Sequence, residues 1–526
     1  MTHSNPEPTF NLWSEAWITL ERSDGLPISA GIEQTLLEAH RFTAIYDLSP
    51  LAVVGIHRLL VAILQASLNP QKLSFLRSAW QNGQFPVERI KDFGRKYAER
   101  FDIFSKDKPF MQSGDLPLAP IKNDKSKTVA YLTAETSPLT AIDHYRHGFE
   151  SSEYFCPSCL AVGLLTIPPF TGIGGRGYKP SINGTPPLYV LPVGRNLFES
   201  LALSLLLPTE NYWPSAASRN HDLPWWEHPP VVEHSKELIE VGYLHSLTFP
   251  ARRVRLHPVK LGAVCTRCGE TSAWGVRTMI FEMGEYRPKD SAPWMDPFVA
   301  YRLPDEDRIG NPMALLPFSG KAIWREFAGL FLYLGEKGKK RVRRPAILER
   351  IANQVDYAEG KPEFNFRCIG VQVSQAKVLE WMDASFSVPS SLLNDPNVTY
   401  LVREAIQFSE DCANLMAGVF RSSVNPSRRG DRNKALKDQM LNRYWMALAY
   451  PFRAFIMSLV EKDNQPKAVE SWAFTVAHQA QAAFDDAIAQ VGDDGISLRQ
   501  QVEGEQNCHI RLEKKRKKYL NQGAIL

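Results

Sequence analysis

Several signals that often classify a protein are missing from these 526 residues. The first ten residues, MTHSNPEPTF, lack both the basic start and the apolar stretch of a signal peptide. The most apolar stretch, residues 51–68, is interrupted by His57 and Arg58, which favours a buried helix over a membrane span. These features predict a cytoplasmic protein without a membrane-embedded segment.

Catalytic motifs are equally scarce. The 12 histidines form no H-E-x-x-H motif, and the sequence contains no G-x-S-x-G motif. The motifs of zinc proteases and of α/β-hydrolases are therefore absent. No internal repeat of a convincing period is present either.

The net charge of the chain is small, at +4 at pH 7, and charged residues make up 22% of the sequence, as in an ordinary globular protein. Basic residues are nevertheless concentrated in runs at 337–344, 428–434 and 514–518. A single run of this kind is commonly a solvated face, but three together favour contacts with phosphate.

Cysteine is uncommon, with seven residues in the chain. Three of them are isolated and are interpreted as small buried side chains, namely Cys368, Cys412 and Cys508. The other four form two C-x-x-C pairs about 105 residues apart, namely Cys156 with Cys159 and Cys265 with Cys268. Two such pairs can offer four thiolates in a tetrahedron, which predicts one structural Zn²⁺ ion.

A redox function for the first pair is the competing interpretation. The sequence CPSC at 156–159 is similar to a glutaredoxin-type motif. That motif requires a cysteine at a helix N-terminus after a strand, and it would leave the second pair unexplained. Four plain thiols are a third possibility.

A glycine loop occupies residues 171–180, TGIGGRGYKP, and its glycines fit the dinucleotide motif G-x-G-x-x-G. The context argues against a cofactor, because prolines precede the loop, Pro180 follows it and no acidic residue lies near position 195. Without Cβ atoms, such a backbone can instead approach nucleic acid closely, with Arg176 and Lys179 supplying positive charge. A tight turn between strands is the alternative.

The organisation of the chain predicts an α+β fold. Residues 1–384 form a large mixed N-terminal domain of short strands, helices and a zinc-knuckle region, followed by a linker at 385–397. Residues 398–526 are predicted as a C-terminal antiparallel four-helix bundle. Its second helix, over 433–463, contains Pro451 and is predicted to be kinked there.

Short motifs in a fixed order resemble those of one protein family. They are FNLWSEAWITL at 10–20, PFMQ at 109–112, the two cysteine pairs, GIGGRGYKPSINGTP at 172–186 and GVQVSQAKVLEWMD at 370–383. The sequence resembles the CasA family, the large subunit of the type I-E CRISPR surveillance complex called Cascade. The resemblance covers nearly the whole chain, and the order and spacing of the motifs carry it.

The resemblance implies a non-enzymatic subunit that recognises the protospacer-adjacent motif (PAM) in duplex DNA and starts strand separation. The implied partners are the other Cascade protein subunits, the 5′ handle of the CRISPR guide RNA, double-stranded target DNA and a recruited helicase-nuclease. In the family, a glycine loop approaches the PAM from the minor groove, which carries over to Gly172, Gly174 and Gly175. A glutamine wedge on a β-hairpin corresponds to Gln375, and the family's neighbouring asparagine is Ser374 here.

Two further contacts are implied less specifically. The family's PAM-contacting lysine has no counterpart at its spacing, where Met283 falls close by, so the PAM preference stays open. The possible basic substitutes are Arg277, Arg287 and Lys289. A guide-RNA anchoring loop before the first cysteine pair matches residues 143–154, with His144, Tyr145 and Arg146 as its candidates.

Two other functional classes remain open on the residues alone. One is an oxidoreductase that uses NAD(P) at the glycine loop or thiols at CPSC. The other is a zinc-stabilised DNA-binding protein that acts without partners.

Overall fold

Two compact units make up the chain. The computed structural model describes residues 7–120, 126–133, 153–171, 178–207, 222–238, 240–288, 294–304, 311–317, 323–332, 342–353, 363–374, 377–424, 431–491 and 496–523, with only the backbone at 374, 377–379, 431–432 and 522–523. The N-terminal unit comprises Met1–Pro317 and Arg344–Ser387. The C-terminal unit comprises Phe318–Arg343 and Val388–Leu526.

The N-terminal unit begins with a small antiparallel sheet, in which β1 (Ile18–Arg22) lies between β2 (Pro27–Ala30) and β3 (Phe42–Ile45). Helix α1 (Ile32–Leu37) lies between β2 and β3 in the sequence. The helices that follow the sheet are α2 (Pro50–Leu68), α3 (Leu73–Asn82) and α4 (Val87–Tyr97).

Helix α2 is the central helix of the N-terminal unit. Its start is capped by Ser49, whose side chain accepts a hydrogen bond from the backbone N–H of Ala52, and Pro50 occupies the first turn. Among the described residues, α2 is long and apolar enough to cross a membrane by length and composition, but 89% of its apolar window is buried inside the protein. The predicted buried helix is confirmed.

Helix α5 (Pro157–Phe170) packs directly against α2. A Cβ atom at Gly55 of α2 would lie 2.7 Å from the carbonyl oxygen of Leu165, so only glycine permits this approach of the two helices. The remaining helices of the unit are α6 (Leu197–Ala202), α7 (Tyr243–Leu247) and, after the segment assigned to the other unit, α9 (Ala346–Asn353).

Two long hairpins provide most of the remaining sheet structure. Strands β6 (Arg252–Val264) and β7 (Thr271–Met283) pair along their length, and β4 (Ser126–Thr128) pairs with the other edge of β7. Strand β11 (Glu363–Ser374) lies between β12 (Lys377–Pro389) and β5 (Tyr189–Val193). The short strands β8 (Tyr301–Arg302) and β9 (Met313–Ala314) also pair, so the predicted mixed class is confirmed.

The segment predicted as a linker, 385–397, has regular structure over most of its length. Strand β12 continues to Pro389, a 3-10 turn covers Ser390–Leu392, and a long helix begins at Pro396. A segment rich in Ser and Pro can still form an extended strand when a neighbouring strand supplies its hydrogen bonds.

The C-terminal unit is mostly helical, as predicted. Its helices are α8 (Phe327–Phe331), α10 (Pro396–Ser423), α11 (Asp431–Ala447), α12 (Ala449–Ser458), α13 (Gln465–Ala489) and α14 (Leu498–Gly523), with the two-residue strand β10 (Val342–Arg343). Helices α10, α13 and α14 pack on one another, and α11 packs on α13.

The second predicted helix of this region is interrupted rather than kinked. Helix α11 ends at Ala447 and α12 starts at Ala449, with Leu448 as the N-cap. Pro451 therefore lies in the first turn of α12, where a missing N–H costs no helical hydrogen bond. The disruption predicted from Pro451 is present as a break at Leu448, three residues before the proline, in the turn whose carbonyls a proline ring crowds.

Residues 323–331 belong to the C-terminal unit because of an aromatic core that the sequence did not reveal. The Trp324 ring lies 4.6 Å from that of Phe452 and 5.9 Å from that of Trp472, measured between centroids. The guanidinium of Arg325 lies 3.9 Å from the ring centroid of Trp445. This segment was assigned to the first domain from the sequence, whereas its packing places it with the C-terminal helices.

Candidate nucleic-acid interface and cysteine cluster

The four cysteines of the two C-x-x-C pairs come together in the N-terminal unit. Cys156 is the N-cap of α5 and Cys159 lies in its first turn, whereas Cys265 and Cys268 lie in the turn between β6 and β7. Their sulfur atoms all lie within 4.8 Å of one another. The Sγ atoms of Cys156 and Cys268 are 3.7 Å apart.

Local backbone geometry positions the residues of this cluster. Gly269 has a φ of +82°, a left-handed conformation that suits glycine, and its N–H donates to the carbonyl of Cys265 over 2.9 Å. The backbone N–H of Cys156 points at the Sγ of Cys265, 3.3 Å away. Arg267 lies beside Cys159 Sγ at 3.7 Å and pairs with Asp47 at 2.7 Å, so positive charge accompanies the sulfur atoms.

The thiols differ in acidity. Hydrogen bonds from the thiols of Cys156 and Cys159 lower the pKa of Cys265 well below its usual range. Hydrogen bonds with Cys156 and Cys265, together with burial, raise the pKa of Cys159. Cys156 and Cys159 are only 5% and 3% exposed, which is unlike the accessible, acidic thiol of a redox motif. The arrangement therefore fits a metal-binding set of four sulfurs better than a thiol oxidoreductase.

The glycine loop itself, residues 172–177, lies outside the described part of the chain, and so do Gly172, Gly174, Gly175 and Arg176. The segment before it is helix α5 and not a strand. A dinucleotide-binding G-x-G-x-x-G motif must follow a strand, so the helix before this loop argues against a dinucleotide cofactor.

The base of the loop is closed by hydrogen bonds. The backbone N–H of Ser181 donates to the carbonyl of Thr171 over 2.8 Å, and the Ser181 hydroxyl donates to the carbonyl of Pro168 over 2.6 Å. The Tyr189 hydroxyl donates to the carbonyl of Pro169 over 3.0 Å. Carbonyls that are left without partners at the end of a helix are thus satisfied by the segment that follows the loop.

The second flank of the loop is held against the β6–β7 hairpin. The Tyr178 hydroxyl donates to the carbonyl of Phe281 over 3.0 Å, and the guanidinium of buried Arg252 lies 5.2 Å from the Tyr178 ring centroid. Burial lowers the pKa of Arg252 to about 10. Lys179 is exposed, and its Nζ lies 5.9 Å from the ring centroid of Tyr286.

Met283 serves as a support for this flank. Its Sδ accepts a hydrogen bond from the backbone N–H of Lys179 over 3.2 Å, and the side chain is 5% exposed. Met283 is the residue that falls near the position of the family's lysine. Because it is buried beneath Lys179, it offers no surface contact, and Lys179 is the exposed cation at this place.

The other residues predicted for DNA contact are dispersed. The guanidinium of Arg277 lies 5.8 Å from the ring centroid of Tyr154, close to the cysteine cluster. Arg287 follows β7 and is partly buried, and this burial lowers its pKa. Lys289 lies outside the described residues, as do the anchoring-loop candidates His144, Tyr145 and Arg146.

The hairpin predicted at 370–383 is formed by β11 and β12. Ser374 is the last residue of β11, and β12 begins at Lys377. Gln375 falls between the two strands, outside the described residues, and the Ser374 side chain is also not described.

A buried polar network that sequence analysis missed involves the described flanks of the glycine loop. Arg58 of α2 donates to Asp296 over 2.7 Å, and both side chains are at most 1% exposed. Asn183 donates to Asp296 over 3.1 Å and to the Tyr189 hydroxyl over 2.8 Å. A charged residue in an apolar helix is a detectable sequence signal, but its partner lies 238 residues away.

In the C-terminal unit, the basic run at 514–518 lies on α14. Its lysines join α10 in lining a groove formed by Asp411, Asn414, Leu415, Arg511, Lys514, Lys515 and Lys518. Lys515 pairs with Asp411, whereas Lys514 and Lys518 are exposed. The groove is therefore mainly cationic and suited to phosphate.

Comparisons with known proteins agree on one family. The family model for CRISPR-associated protein Cse1 matches residues 11–483. A CasA/Cse1 protein of Thermus thermophilus is 27% identical, covering 94% of this chain and 96% of the relative. A crystal structure of CasA from Thermus thermophilus superposes with a TM-score of 0.76 at 25% identity, covering 96% of this chain and 100% of that one.

A further neighbour is a chain of a solved CRISPR RNA-guided surveillance complex. Its TM-score is 0.72 at 19% identity, covering 96% of this chain and 99% of the neighbour, so it supports the fold. The family match, the curated relative and the first of these structures together confirm the resemblance inferred from the sequence. The chain belongs to the CRISPR-associated Cse1/CasA family.

Proposed function

We propose that this chain is the non-catalytic large subunit of a type I-E Cascade, where it recognises the PAM and begins strand separation. Family membership supports the assignment to a CRISPR surveillance complex. The observation that carries the PAM-reading role is the anchoring of the glycine loop at both flanks, by Ser181 on the helix side and by Tyr178 and Lys179 on the hairpin side.

A loop held in this way can present a backbone to the minor groove. Its glycines lack the Cβ atoms that would prevent close approach, and Lys179 supplies a cation at its edge. The minor groove distinguishes A·T from G·C pairs but little more, so recognition through it should tolerate several PAMs. Pairing with the guide RNA then supplies the remaining specificity, as it does in other RNA-guided effectors.

The β11–β12 hairpin provides the wedge. Strands of 12 and 13 residues flank Gln375 in the sequence, and β11 is itself paired with β5. Insertion of a side chain into the stack costs a few kcal/mol per base step, which the subsequent pairing with the guide RNA must offset. Ser374, in the place of the family's asparagine, provides a shorter polar contact beside it.

The other partners follow from the family. They are the remaining Cascade subunits, the guide RNA 5′ handle, which would bind at His144, Tyr145 and Arg146, and a helicase-nuclease that acts on the opened target. A chain in such a complex would work in the cytoplasm.

One structural Zn²⁺ in the cysteine cluster is part of the proposal. The Sγ separation of 3.7 Å between Cys156 and Cys268 suits two ligands of a tetrahedral sulfur site. Bound there, zinc would supply no chemistry beyond cross-linking. The four residues would tie the start of α5 to the β6–β7 turn, and thereby fix the two elements that hold the flanks of the glycine loop.

The C-terminal helices would serve as a second contact surface. We place α10, α11 with α12, α13 and α14 in an antiparallel four-helix bundle, whose groove near Lys514 and Lys518 would bind nucleic-acid phosphates. Such contacts release counterions, so their contribution to affinity should fall as the salt concentration rises.

Gln375→Ala in the reconstituted complex tests the wedge. We expect PAM-proximal base opening, followed with a fluorescent adenine analogue in the target, to fall at least about 10-fold, while association with the duplex changes little. Glu380→Gln, at an exposed position of the same hairpin, is the matched control and should leave opening unchanged. Equal opening by wild type and Gln375→Ala would remove the wedge from the proposal.

A further inference from the structure

A second set of metal-ligating side chains converges in the interior of the N-terminal unit, apart from the cysteine cluster. His228 lies in a turn over residues 225–228, His245 lies in α7, and Glu285 follows the end of β7. Their possible ligand atoms all lie within 4.8 Å of one another. The three residues are 6%, 6% and 1% exposed, respectively.

The two imidazoles present the same nitrogen to the carboxylate. Nε2 of His228 lies 3.1 Å from Oε1 of Glu285, and Nε2 of His245 lies 3.0 Å from Oε2. The Nδ1 atoms lie 2.7 Å from the carbonyl oxygen of Pro229 and 2.9 Å from that of Leu223. A carbonyl oxygen can only accept, so both Nδ1 atoms carry hydrogen.

With hydrogen on both Nδ1 atoms, the short contacts between the Nε2 atoms and Glu285 still need a hydrogen atom or a cation. In neutral rings with hydrogen on Nδ1, the two Nε2 lone pairs face the oxygen atoms of Glu285. A positive species must lie between them, either as two protons or as one cation. The first alternative buries two imidazolium rings around one carboxylate, and charged groups are costly in an interior.

The second alternative matches the construction of protein metal sites. A metal-bound histidine commonly donates its other ring N–H to a carbonyl oxygen, which fixes the tautomer and the ring orientation. Two histidines and one glutamate form a known zinc donor set that keeps a fourth position for water. Oxygen-preferring cations such as Mg²⁺ and Ca²⁺ suit this set poorly, because two of its three donors are nitrogen.

The surroundings hold the three ligands rigidly. The Trp225 ring stacks on His228 with an interplanar angle of 7°, and Phe249 meets His245 edge-on with centroids 5.5 Å apart. Arg100 donates to the carbonyl oxygens of Trp225 and His228 over 3.1 and 2.9 Å, and so fixes the turn that carries the first ligand.

We propose that His228, His245 and Glu285 form a binding site for a first-row divalent transition metal, with Zn²⁺ as the ion that the donor set favours. The site would cross-link the turn at 225–228, α7 and the end of β7. Glu285 lies two residues from Met283, so the same ion would stiffen the support of the glycine-loop flank. Metal binding at these three residues does not depend on any role of the chain in DNA recognition.

The zinc content of the full-length chain tests the proposal. After loading with Zn²⁺ and removal of free metal, we expect Glu285→Gln to hold one equivalent fewer than wild type, whatever the cysteine cluster binds. Glutamine keeps the shape of glutamate, and its NH2 group can donate to one of the two Nε2 atoms, so the fold should survive, which circular dichroism would check. Glu282→Gln, on the half-buried face of β7, is the control and should retain the wild-type content.

A second measurement does not require a variant. Crystals of the wild-type chain grown with Zn²⁺ should show an anomalous peak at the zinc edge between the Nε2 atoms of His228 and His245. Identical zinc contents in wild type and Glu285→Gln, or anomalous density confined to the four cysteines, would overturn the proposal. The three side chains would then form a buried, protonated hydrogen-bond network.

Discussion

Among single residues, Arg58 connects the long apolar helix α2 to both described flanks of the glycine loop. It pairs with Asp296, which also accepts from Asn183 after the loop, and its guanidinium lies 5.2 Å from the ring centroid of Tyr189. Tyr189 in turn donates to Pro169 before the loop. The buried charge of Arg58 is tolerated because the carboxylate of Asp296 pairs with it and the carbonyl oxygen of Ser246 accepts a second hydrogen bond.

Removal of the carboxylate charge should therefore be costly. We expect Asp296→Asn to lower the free energy of unfolding of the N-terminal unit by about 3–5 kcal/mol, since Arg58 would be left buried and unpaired. Urea denaturation measures the change. Glu38→Gln is the control, because the Arg41–Glu38 pair is exposed and should contribute less than about 1 kcal/mol. Equal losses in the two variants would show that burial of Arg58 does not matter.

At this scale, the sequence predicted the cysteines well and the polar contacts poorly. Each C-x-x-C pair is recognisable locally in the sequence, so a shared four-cysteine site could be predicted although about 105 residues separate the pairs. The contacts of Arg58, His228 and Glu285 depend on residues brought together by the fold, with no spacing rule to reveal them. The burial of Met283 under Lys179 was unpredictable for the same reason.

Among the elements, α2 carries a second buried polar residue with a consequence for pH. Burial, aided by the charge of Arg58, lowers the pKa of His57 from 6.5 to about 3. Between these values the unfolded chain binds a proton at this residue that the folded chain does not bind. Folding is then opposed as the pH falls below about 6.5, at ~1.4 kcal/mol per pH unit.

The variant His57→Gln should reduce this dependence. We expect the loss of unfolding free energy between pH 6.5 and 5.5 to be ~1 kcal/mol smaller in the variant than in wild type. Glutamine remains neutral and can still bond the Ser204 hydroxyl, which lies 2.9 Å from His57 Nε2. His40→Gln, at an exposed position, should retain the wild-type dependence. Parallel pH profiles for His57→Gln and wild type would contradict a buried neutral histidine.

Elements with a strong hydrophobic periodicity were predictable, and elements that depend on tertiary contacts were not. Residues 398–526 were predicted to be helical, and α10, α13 and α14 confirm that prediction. The strand through residues 377–389 depends on packing partners rather than on local propensity, whereas the break at Leu448 falls just before Pro451, a local signal. The attachment of Trp324 to the C-terminal helices likewise required tertiary contacts.

At the scale of the whole molecule, the cysteine cluster should contribute substantially to stability. We expect Cys156→Ser to lose one bound zinc equivalent and to destabilise the N-terminal unit by about 3 kcal/mol or more, because metal binding is coupled to folding. Atomic absorption and thermal melting measure the two effects. Cys412→Ala, at a buried cysteine outside the cluster, should retain all zinc. Unchanged zinc in Cys156→Ser would contradict the four-sulfur site.

The proposed function of the molecule depends on recognition of the PAM by this subunit. The most direct measurement is binding of target duplex to the reconstituted guide-RNA complex, with and without the chain, on PAM-bearing and PAM-scrambled DNA at one stated salt concentration. We predict tight binding only when both the chain and the PAM are present. Affinity that is indifferent to the chain and to the PAM would contradict the proposed function.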